Sequence, residues 1–187
     1  MYRNPVEVQQ TGQSRRSKVI SKRIVLLVLI AVLAATVIFL AVNETCLKCE
    51  AGWELYEGNC YDFSNTTSTW NESRDLCIDV EGDLVKIDSR DEQRKVKEKI
   101  TNDEDSFWIG LRNSEKEGSW VWVDGSPLNK SLSFWGKNEP DGKGGGPESE
   151  MDCVRIKKKQ NSVKWFDRYC NDALRSICEK AAENQLC

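Results

Sequence analysis

The sequence predicts an α+β domain stabilised by disulfides, which follows a single apolar helix. Three observations support this class. All eight cysteines lie after the apolar stretch 24–42, two later segments carry helix-capping signals, and several short runs are rich in strand-forming residues. The chain has 187 residues, which allows one domain of ordinary size and a tail.

The apolar stretch 24–42 predicts a membrane-spanning helix, because its 19 residues carry no charge and can cross about 30 Å of hydrocarbon. A cleaved signal peptide explains this stretch less well, since the apolar core of a signal peptide usually has only about 7–15 residues. By the positive-inside rule, residues 1–23 form a cytoplasmic tail and the C-terminal part is extracellular, as in a single-pass type II protein of the plasma membrane. The basic residues beside the span are Arg15, Arg16, Lys18, Lys22 and Arg23.

This topology places every cysteine in an oxidising compartment, so a disulfide framework is expected. Eight cysteines allow about 105 complete pairings, and their spacing alone assigns none of them. Three Asn-x-Ser/Thr sequons are predicted glycosylation sites in the same part of the chain: Asn65, Asn71 and Asn129. Residues 43–48 predict a short stem, because they carry no heptad repeat that could build a coiled coil.

Two helices are predicted, at about 70–80 and 90–100. Each is preceded by capping-box spacing, in which a Ser or Thr is followed three residues later by Glu. The two boxes are Thr69 with Glu72 and Ser89 with Glu92.

Short apolar and β-branched runs predict strands along the rest of the chain. They lie at 84–87, 107–111, 120–123, 153–156, 163–165 and 176–178. The tryptophans in two of these runs, Trp108, Trp120 and Trp122, are predicted core residues rather than ligand platforms. The lysine run 157–159 is predicted to lie in a hairpin loop rather than to form a heparin or nucleic-acid patch.

Composition excludes several function classes. The chain has no histidine, which removes the Ser-His-Asp and Cys-His nucleophile systems and the HExxH zinc site, so no enzyme activity is predicted. Residues 1–42 hold six basic residues and one acidic residue, a net +5, so the total of −3 leaves −8 for residues 43–187. Nucleic acid is therefore not an expected partner.

A long acidic loop, 136–150, is rich in Gly and Pro. A solvated loop is one interpretation, and a calcium site is the other, because Ca²⁺ takes about 6–8 oxygen ligands that loops can supply. The acids in or next to this loop are Glu139, Asp141, Glu148, Glu150 and Asp152.

Taken in order, these motifs resemble a C-type lectin domain over about residues 49–180. The residues that carry the resemblance are Cys60-Tyr61, Cys77, Trp108-Ile109-Gly110-Leu111, the run 120–125, Glu139-Pro140-Asp141, Cys153, Trp165-Phe166-Asp167, Cys170 and Cys178. The additional Cys46 and Cys187, the latter in a C-terminal extension at 181–187, are similar to the eight-cysteine arrangement of the DC-SIGN-like group of type II receptors.

The resemblance implies a fold of two helices, small antiparallel sheets and a long loop region. It also implies four disulfides: Cys46–Cys187, Cys49–Cys60, Cys77–Cys178 and Cys153–Cys170. The cofactor that it implies is Ca²⁺.

In the implied calcium site, the ligand positions fall on Glu139, Asp141, Asp167 and, with a shift of one residue, Glu150. The residues implied to contact a ligand are Glu139, Pro140 (in the cis form), Asp141, Trp165 and Asp167. An auxiliary calcium site is implied at Asn113, Glu117 and Asp152.

Three positions depart from the lectin pattern. Phe166 replaces an Asn, and Met151 replaces an acid. With Asp141 also standing where an Asn is usual, two amide donors to sugar hydroxyls are missing, and an unpaired buried partner costs about 1–3 kcal/mol. Sugar binding is therefore expected to be weakened or altered, with mannose or fucose favoured over galactose.

The resulting prediction is a calcium-dependent receptor for glycans or glycoproteins in innate immunity, as a monomer or weak oligomer embedded in the membrane. The alternative is a natural-killer-receptor-like domain that binds a protein without calcium. Phe166 and Met151 favour the alternative, whereas the three carboxylates of Glu139, Asp141 and Asp167 favour the lectin.

Overall fold

The computed structural model describes residues 10–42, 45–114, 118–141 and 153–187. The chain divides into two compact units. One unit contains the N-terminal helix, the chain that follows it as far as Cys46, and Asn184–Cys187. The other unit, Leu47–Glu183, contains the candidate site.

The N-terminal helix, α1, runs over Gln10–Val42. Its segment Ser21–Phe39 is long and apolar enough to cross a membrane, with a mean hydropathy of 2.5, and none of it is buried by other parts of the chain. Side chains this apolar need a non-aqueous partner, which lipid would supply. The predicted span at 24–42 lies inside α1, and its bounds stay a prediction.

The larger unit is built on an eight-stranded sheet. Its strands are β2 (Glu54–Tyr56), β3 (Asn59–Phe63), β4 (Asp83–Leu84), β5 (Ser106–Asn113), β6 (Trp120–Trp122), β7 (Cys153–Lys159), β8 (Ser162–Arg168) and β9 (Arg175–Ala181). Their order is β2-β3-β9-β5-β7-β8, and β4 also pairs with β9 and β6 with β5. β5 and β9 are parallel, and the other pairings described in this sheet are antiparallel. A separate two-stranded sheet pairs β1 (Thr45–Lys48) with β10 (Glu183–Leu186).

Two further helices, α2 (Trp70–Asp79) and α3 (Arg90–Lys99), begin where the sequence predicts. The capping box of α2 is complete: the Thr69 hydroxyl accepts the backbone N–H of Glu72 at 3.3 Å, and the Glu72 carboxylate accepts that of Thr69 at 3.0 Å. Both interactions satisfy amide groups that have no partner within the helix.

The predicted capping box of α3 is only half formed. The Ser89 hydroxyl accepts the Glu92 backbone N–H at 3.0 Å, but the Glu92 carboxylate turns inward. It accepts the Tyr61 hydroxyl at 2.7 Å and the Asp88 backbone N–H at 2.9 Å. The buried phenol therefore takes the carboxylate that the sequence pattern assigns to the cap.

The core consists of two clusters of buried side chains. Trp108 and Trp122 lie in them as predicted, whereas Trp120 is partly buried and packs against the larger cluster. The indole N–H of Trp70 donates to the Ile109 carbonyl, and that of Trp108 donates to the Ser68 carbonyl. These bonds join the start of α2 to β5, because a buried indole N–H needs an acceptor.

All eight cysteines form disulfides. The pairs are Cys46–Cys187, Cys49–Cys60, Cys77–Cys178 and Cys153–Cys170, which are the pairs that the family resemblance implies. The Cys77–Cys178 bond spans 101 residues of sequence and ties α2 to β9. Bonds that close long loops restrict the unfolded chain strongly.

The lysine run 157–159 belongs to β7, so its predicted placement in a loop is wrong. β7 and β8 form a hairpin whose turn is only Gln160-Asn161, and both turn residues have a positive φ, of 49° and 62°. A two-residue turn in which both residues have a positive φ matches the twist of two paired strands. The strand consequently extends through all three lysines.

A pair of inward-facing carboxyl groups, Glu92 and Glu179, lies between α3 and β9. Burial, with the negative charge of Glu92, raises the pKa of Glu179 to about 8. Within the described residues, one oxygen of Glu179, Oε2, is buried without a hydrogen-bond partner. At neutral pH the folded protein therefore holds a proton on this group that the unfolded chain releases.

This proton makes stability depend on pH. Because the folded pKa of Glu179 exceeds its ordinary value of 4.5, the free energy of unfolding should fall as the pH rises from about 4.5 to about 8. The fall is at most about 1.4 kcal/mol per pH unit for a single group. We expect Glu179→Gln to flatten this dependence. Urea unfolding at pH 5 and pH 8 measures it, and Glu98→Gln, on the exposed side of α3, should keep the wild-type slope. An unchanged slope in Glu179→Gln would contradict the assignment.

Candidate metal centre

Three carboxylates from two distant parts of the sequence meet at one edge of the larger unit. Glu139, Asp141 and Asp167 each offer an oxygen, and these oxygens lie within 4.8 Å of one another. Asp167 is buried, Glu139 is half-buried and Asp141 is exposed. The group is open to solvent on one side and enclosed by protein on the other.

Backbone hydrogen bonds to β8 bring the three residues together. The Trp165 N–H donates to the Phe134 carbonyl at 2.9 Å, and the Gly136 N–H donates to the Trp165 carbonyl at 2.8 Å. The chain before Glu139 therefore runs beside the strand that carries Asp167.

A second set of contacts fixes the loop after this segment. The Glu139 N–H donates to the Gly136 carbonyl at 3.2 Å, and the Glu139–Pro140 peptide is cis. The Asp141 N–H donates to Asp167 Oδ1 at 3.2 Å. This last bond links the loop directly to the buried carboxylate and orients one of its oxygens.

The electrostatics of the cluster favour a cation. Burial, a hydrogen bond to Asp167, and the negative charges of Asp167 and Asp141 raise the pKa of Glu139 to about 7. Like charges held this close oppose one another's ionisation, and a divalent cation between them would remove that repulsion. The donor set consists of carboxylate oxygens, which fits Ca²⁺ and not a metal that requires nitrogen or sulfur ligands.

Phe166 lies where the resemblance expects an amide, and it is 6% exposed. Its ring packs against the backbone of Gly136, where an added Cβ would lie 2.7 Å from the ring atom Cε1 and 3.2 Å from Glu139 Cγ. The ring therefore supports the chain that carries Glu139. It offers no hydrogen-bond donor to a ligand.

The other predicted site residues have different outcomes. Glu117, Glu150 and Asp152 lie outside the described residues. Asn113 ends β5, and its Oδ1 is buried without a hydrogen-bond partner in the described part of the chain, which suits a cation ligand. Trp165, a predicted ligand contact, is 0% exposed, and its indole N–H donates to Gln93 at 2.9 Å. Its contact with a ligand stays a prediction.

Asn65, Asn71 and Asn129, the predicted glycosylation sites, are all exposed. Exposure is what attachment of a bulky glycan requires. Their modification stays a prediction.

One residue beside the cluster was not predicted from the sequence. Arg155, on β7, pairs across the strand with Phe166, and the charges of Glu139 and Asp167 act on its guanidinium. Burial, with the charge of Arg168, nevertheless lowers its pKa. Strand alternation of Arg155, Lys157 and Lys159 is the signal that could have identified it.

Comparison with known proteins identifies what this arrangement is similar to. The family model described as Lectin C-type domain matches residues 66–180. The CD209 antigen of Nomascus concolor is 35% identical over 141 residues, which are 75% of this chain and 33% of that protein. The hepatic lectin of Gallus gallus is 35% identical over 128 residues, which are 68% of this chain and 58% of that protein.

The chain is also similar to a solved structure, the C-type lectin domain of murine dendritic cell inhibitory receptor 2 in complex with an N-glycan. The two are 30% identical in sequence, and their folds match with a TM-score of 0.64. The match covers 72% of this chain and 99% of that one. This chain spans about a third of the length of the first curated relatives that it matches. For the C-type lectin domain family 4 member M of Symphalangus syndactylus, the matched part is 31% of that protein's length.

Proposed function

Because this chain belongs to the C-type lectin family, we propose that it is a cell-surface receptor that binds carbohydrate through a calcium ion. The observation that carries this proposal is the meeting of Glu139, Asp141 and Asp167 within 4.8 Å. Hard oxygen donors with a net negative charge are what Ca²⁺ selects. The residues that would hold the ion are these three, with Glu150 as a further candidate.

When bound, calcium would supply open coordination positions for two hydroxyls of a sugar. The chain's own contribution is to accept hydrogen bonds from those hydroxyls at the same carboxylate oxygens. Glu139 supports the mannose or fucose class. Phe166 and Asp141 provide no side-chain amide donors, so each hydroxyl lacks one partner and the affinity for a neutral sugar is low.

The surface location is supported by the N-terminal helix. Ser21–Phe39 has the length and hydropathy of a membrane span, and the basic residues at 15–23 support a cytosolic N-terminus. The lectin domain is then extracellular, where its four disulfides are stable. We expect a single-pass type II protein that acts by binding and carries out no catalysis.

A second candidate function is calcium-independent binding of a protein ligand. It is favoured by Phe166, which fills an amide position with an apolar ring. A calcium-independent type II antifreeze protein has the same fold, with a TM-score of 0.63 and 28% identity over 74% of this chain and 98% of that one. A domain of this fold can therefore function without calcium.

Glycan-array binding of the whole 187-residue chain in non-ionic detergent, with calcium and with EDTA, tests the first candidate against the second. We expect binding to mannose- or fucose-terminated glycans with calcium and its loss with EDTA, because chelation removes the ion that positions the hydroxyls. Binding that survives EDTA, or a chain that binds none of the array glycans, would contradict the calcium-lectin proposal.

A further inference from the structure

The outer face of the β7–β8 hairpin concentrates positive charge. Val154 and Ile156 of β7, with Val163 and Trp165 of β8, are buried, so the alternate residues point away from the core. Arg155 pairs across the strands with Phe166, Lys157 with Lys164, and Cys153 with Arg168. We call the resulting set the hairpin face: Arg155, Lys157, Lys159, Lys164, Phe166 and Arg168.

Strand alternation separates the three consecutive lysines. The Lys158 ammonium leaves the hairpin face, donating to the Thr101 carbonyl at 2.7 Å and lying 3.8 Å from Asp103. The ammonium groups of Lys157 and Lys159 instead lie 5.4 Å and 5.5 Å from the centroid of the Phe166 ring. Two cations therefore share one aromatic ring, and its cation–π interaction offsets the positive charge of each only weakly.

Among the described residues, few acidic partners balance the positive charge of the hairpin face. Arg168 forms an ion pair with Asp172. Within the described ranges, no ion pair involves Lys157, Lys159 or Lys164. Burial and the charges of Arg155, Lys159 and Arg168 lower the pKa of Lys157, so these cations repel one another.

A donor at the base of the face also lacks a partner. Arg155 Nε is buried and has no hydrogen-bond acceptor in the described part of the chain. A buried guanidinium N–H without an acceptor is costly. An anion that reaches the hairpin face would both reduce the mutual repulsion and supply acceptor oxygens.

The hairpin face adjoins the carboxylate cluster. Phe166 precedes Asp167 in β8 and packs against Gly136, in the segment that leads to Glu139. The Glu139 charge acts on both Arg155 and Lys157. A ligand held by a cation at the cluster would therefore lie within electrostatic range of these two cations.

We propose that the hairpin face is a subsite for a sulfate group on a glycan whose hydroxyls occupy the calcium centre. This inference rests on the proposed function and specifies its ligand class as a sulfated oligosaccharide. Sulfate oxygens accept charge-assisted hydrogen bonds from the Lys157 and Lys159 ammonium groups. The added contact compensates for the amide donors that Phe166 and Asp141 do not provide.

A short acidic glycan fits this face better than a nucleic acid does. From Arg155 to Lys159 the strand rises roughly 13 Å, which accommodates one or two anionic groups. Residues 43–187 carry a net charge of −8, from 21 basic and 29 acidic residues. The net negative charge would repel a long polyanion more strongly than a glycan with one or two sulfates.

The test compares two probes on the whole 187-residue chain in non-ionic detergent with calcium: a fucose-terminated oligosaccharide that carries one sulfate and its desulfated counterpart. We expect the sulfated probe to bind at least tenfold more tightly at about 0.15 M salt and to lose this advantage as salt rises. Replacing both lysines, Lys157→Ala with Lys159→Ala, should remove the advantage and leave the affinity for the desulfated probe unchanged.

Lys158→Ala is the matched control, because it removes a neighbouring lysine that does not lie on the hairpin face. It should retain the full preference for sulfate. The charge-conserving pair Lys157→Arg with Lys159→Arg should also retain it, which shows that charge rather than side-chain shape is required. Equal binding of the two probes by the wild type, or an equal loss in Lys158→Ala, would overturn the proposal.

Two further outcomes separate this inference from the proposed function. If calcium raises the Tm but sulfation has no effect, the sulfate subsite is wrong and the calcium centre stands. If calcium has no effect on the Tm but the preference for sulfate persists and depends on Lys157 and Lys159, the calcium centre is wrong. A single-stranded oligonucleotide of the same charge that binds as tightly as the sulfated probe would overturn the assignment to glycans.

Discussion

Replacing Asp167 with asparagine is expected to remove most of the rise in Tm that calcium produces. Asp167 is the buried member of the cluster, and its charge contributes most where water screens least. At a calcium concentration of about 100 times the Kd, binding should stabilise the folded chain by roughly 2.7 kcal/mol. If the substitution weakens affinity about 100-fold, only roughly 0.4 kcal/mol remains.

Thermal unfolding of both proteins with calcium and with EDTA measures this effect. Asparagine keeps an oxygen that can accept the Asp141 N–H, so the variant should fold. Asp91→Asn, which removes an exposed carboxylate on α3 that pairs with Arg94, is the control and should keep the full rise. A rise in Asp167→Asn equal to that of the wild type would exclude this residue as a calcium ligand.

Gly110→Ala should be the most destabilising single-methyl substitution in the sheet. A Cβ at this position would lie 2.6 Å from the Leu84 carbonyl oxygen, 3.1 Å from that of Val85 and 2.9 Å from Val123 Cγ2. Two of these three atoms belong to the backbone and cannot move aside as a side chain can. Two backbone hydrogen bonds also hold Gly110 in place. Its N–H donates to the Val85 carbonyl at 2.8 Å, and its carbonyl accepts the Val123 N–H at 2.8 Å.

We expect Gly110→Ala to lower the free energy of unfolding by about 3 kcal/mol, measured by urea denaturation. Gly52→Ala is the control, since it has a positive φ of 93° but no atom within 4 Å of the added carbon. Its cost should be only the backbone strain of about 1 kcal/mol. Equal midpoints for Gly110→Ala and the wild type would show that the backbone around β4 yields more easily than the contacts indicate.

Local signals predicted the helices well. The caps at Thr69 and Ser89 depend on residues three positions apart, so sequence spacing is sufficient to locate where α2 and α3 begin. β2 and β3 were not predicted, because these strands are short and mix polar with apolar residues. The signal for them was the turn at Glu57-Gly58, where both residues have a positive φ.

The candidate site could be predicted only in part. Glu139 and Asp141 are neighbours in sequence, but their approach to Asp167 depends on pairing between the 134–136 segment and β8, which no local pattern encodes. The family resemblance supplied that connection. The charge of the hairpin face was not predicted because the run 157–159 was interpreted as a loop. Side chains alternate between two faces in a strand but not in a loop.

The aromatic surroundings of Trp165 give the chain an internal optical reporter. Its ring is edge-on to those of Trp122, Phe134 and Trp135, with centroids 5.3 to 5.9 Å away, and it lies two residues before Asp167 in the same strand. Indole emission responds to nearby charge and to small changes in ring contact. Intrinsic fluorescence can therefore follow occupancy of the carboxylate cluster without a dye, and Trp165→Phe would identify which of the seven tryptophans carries the signal.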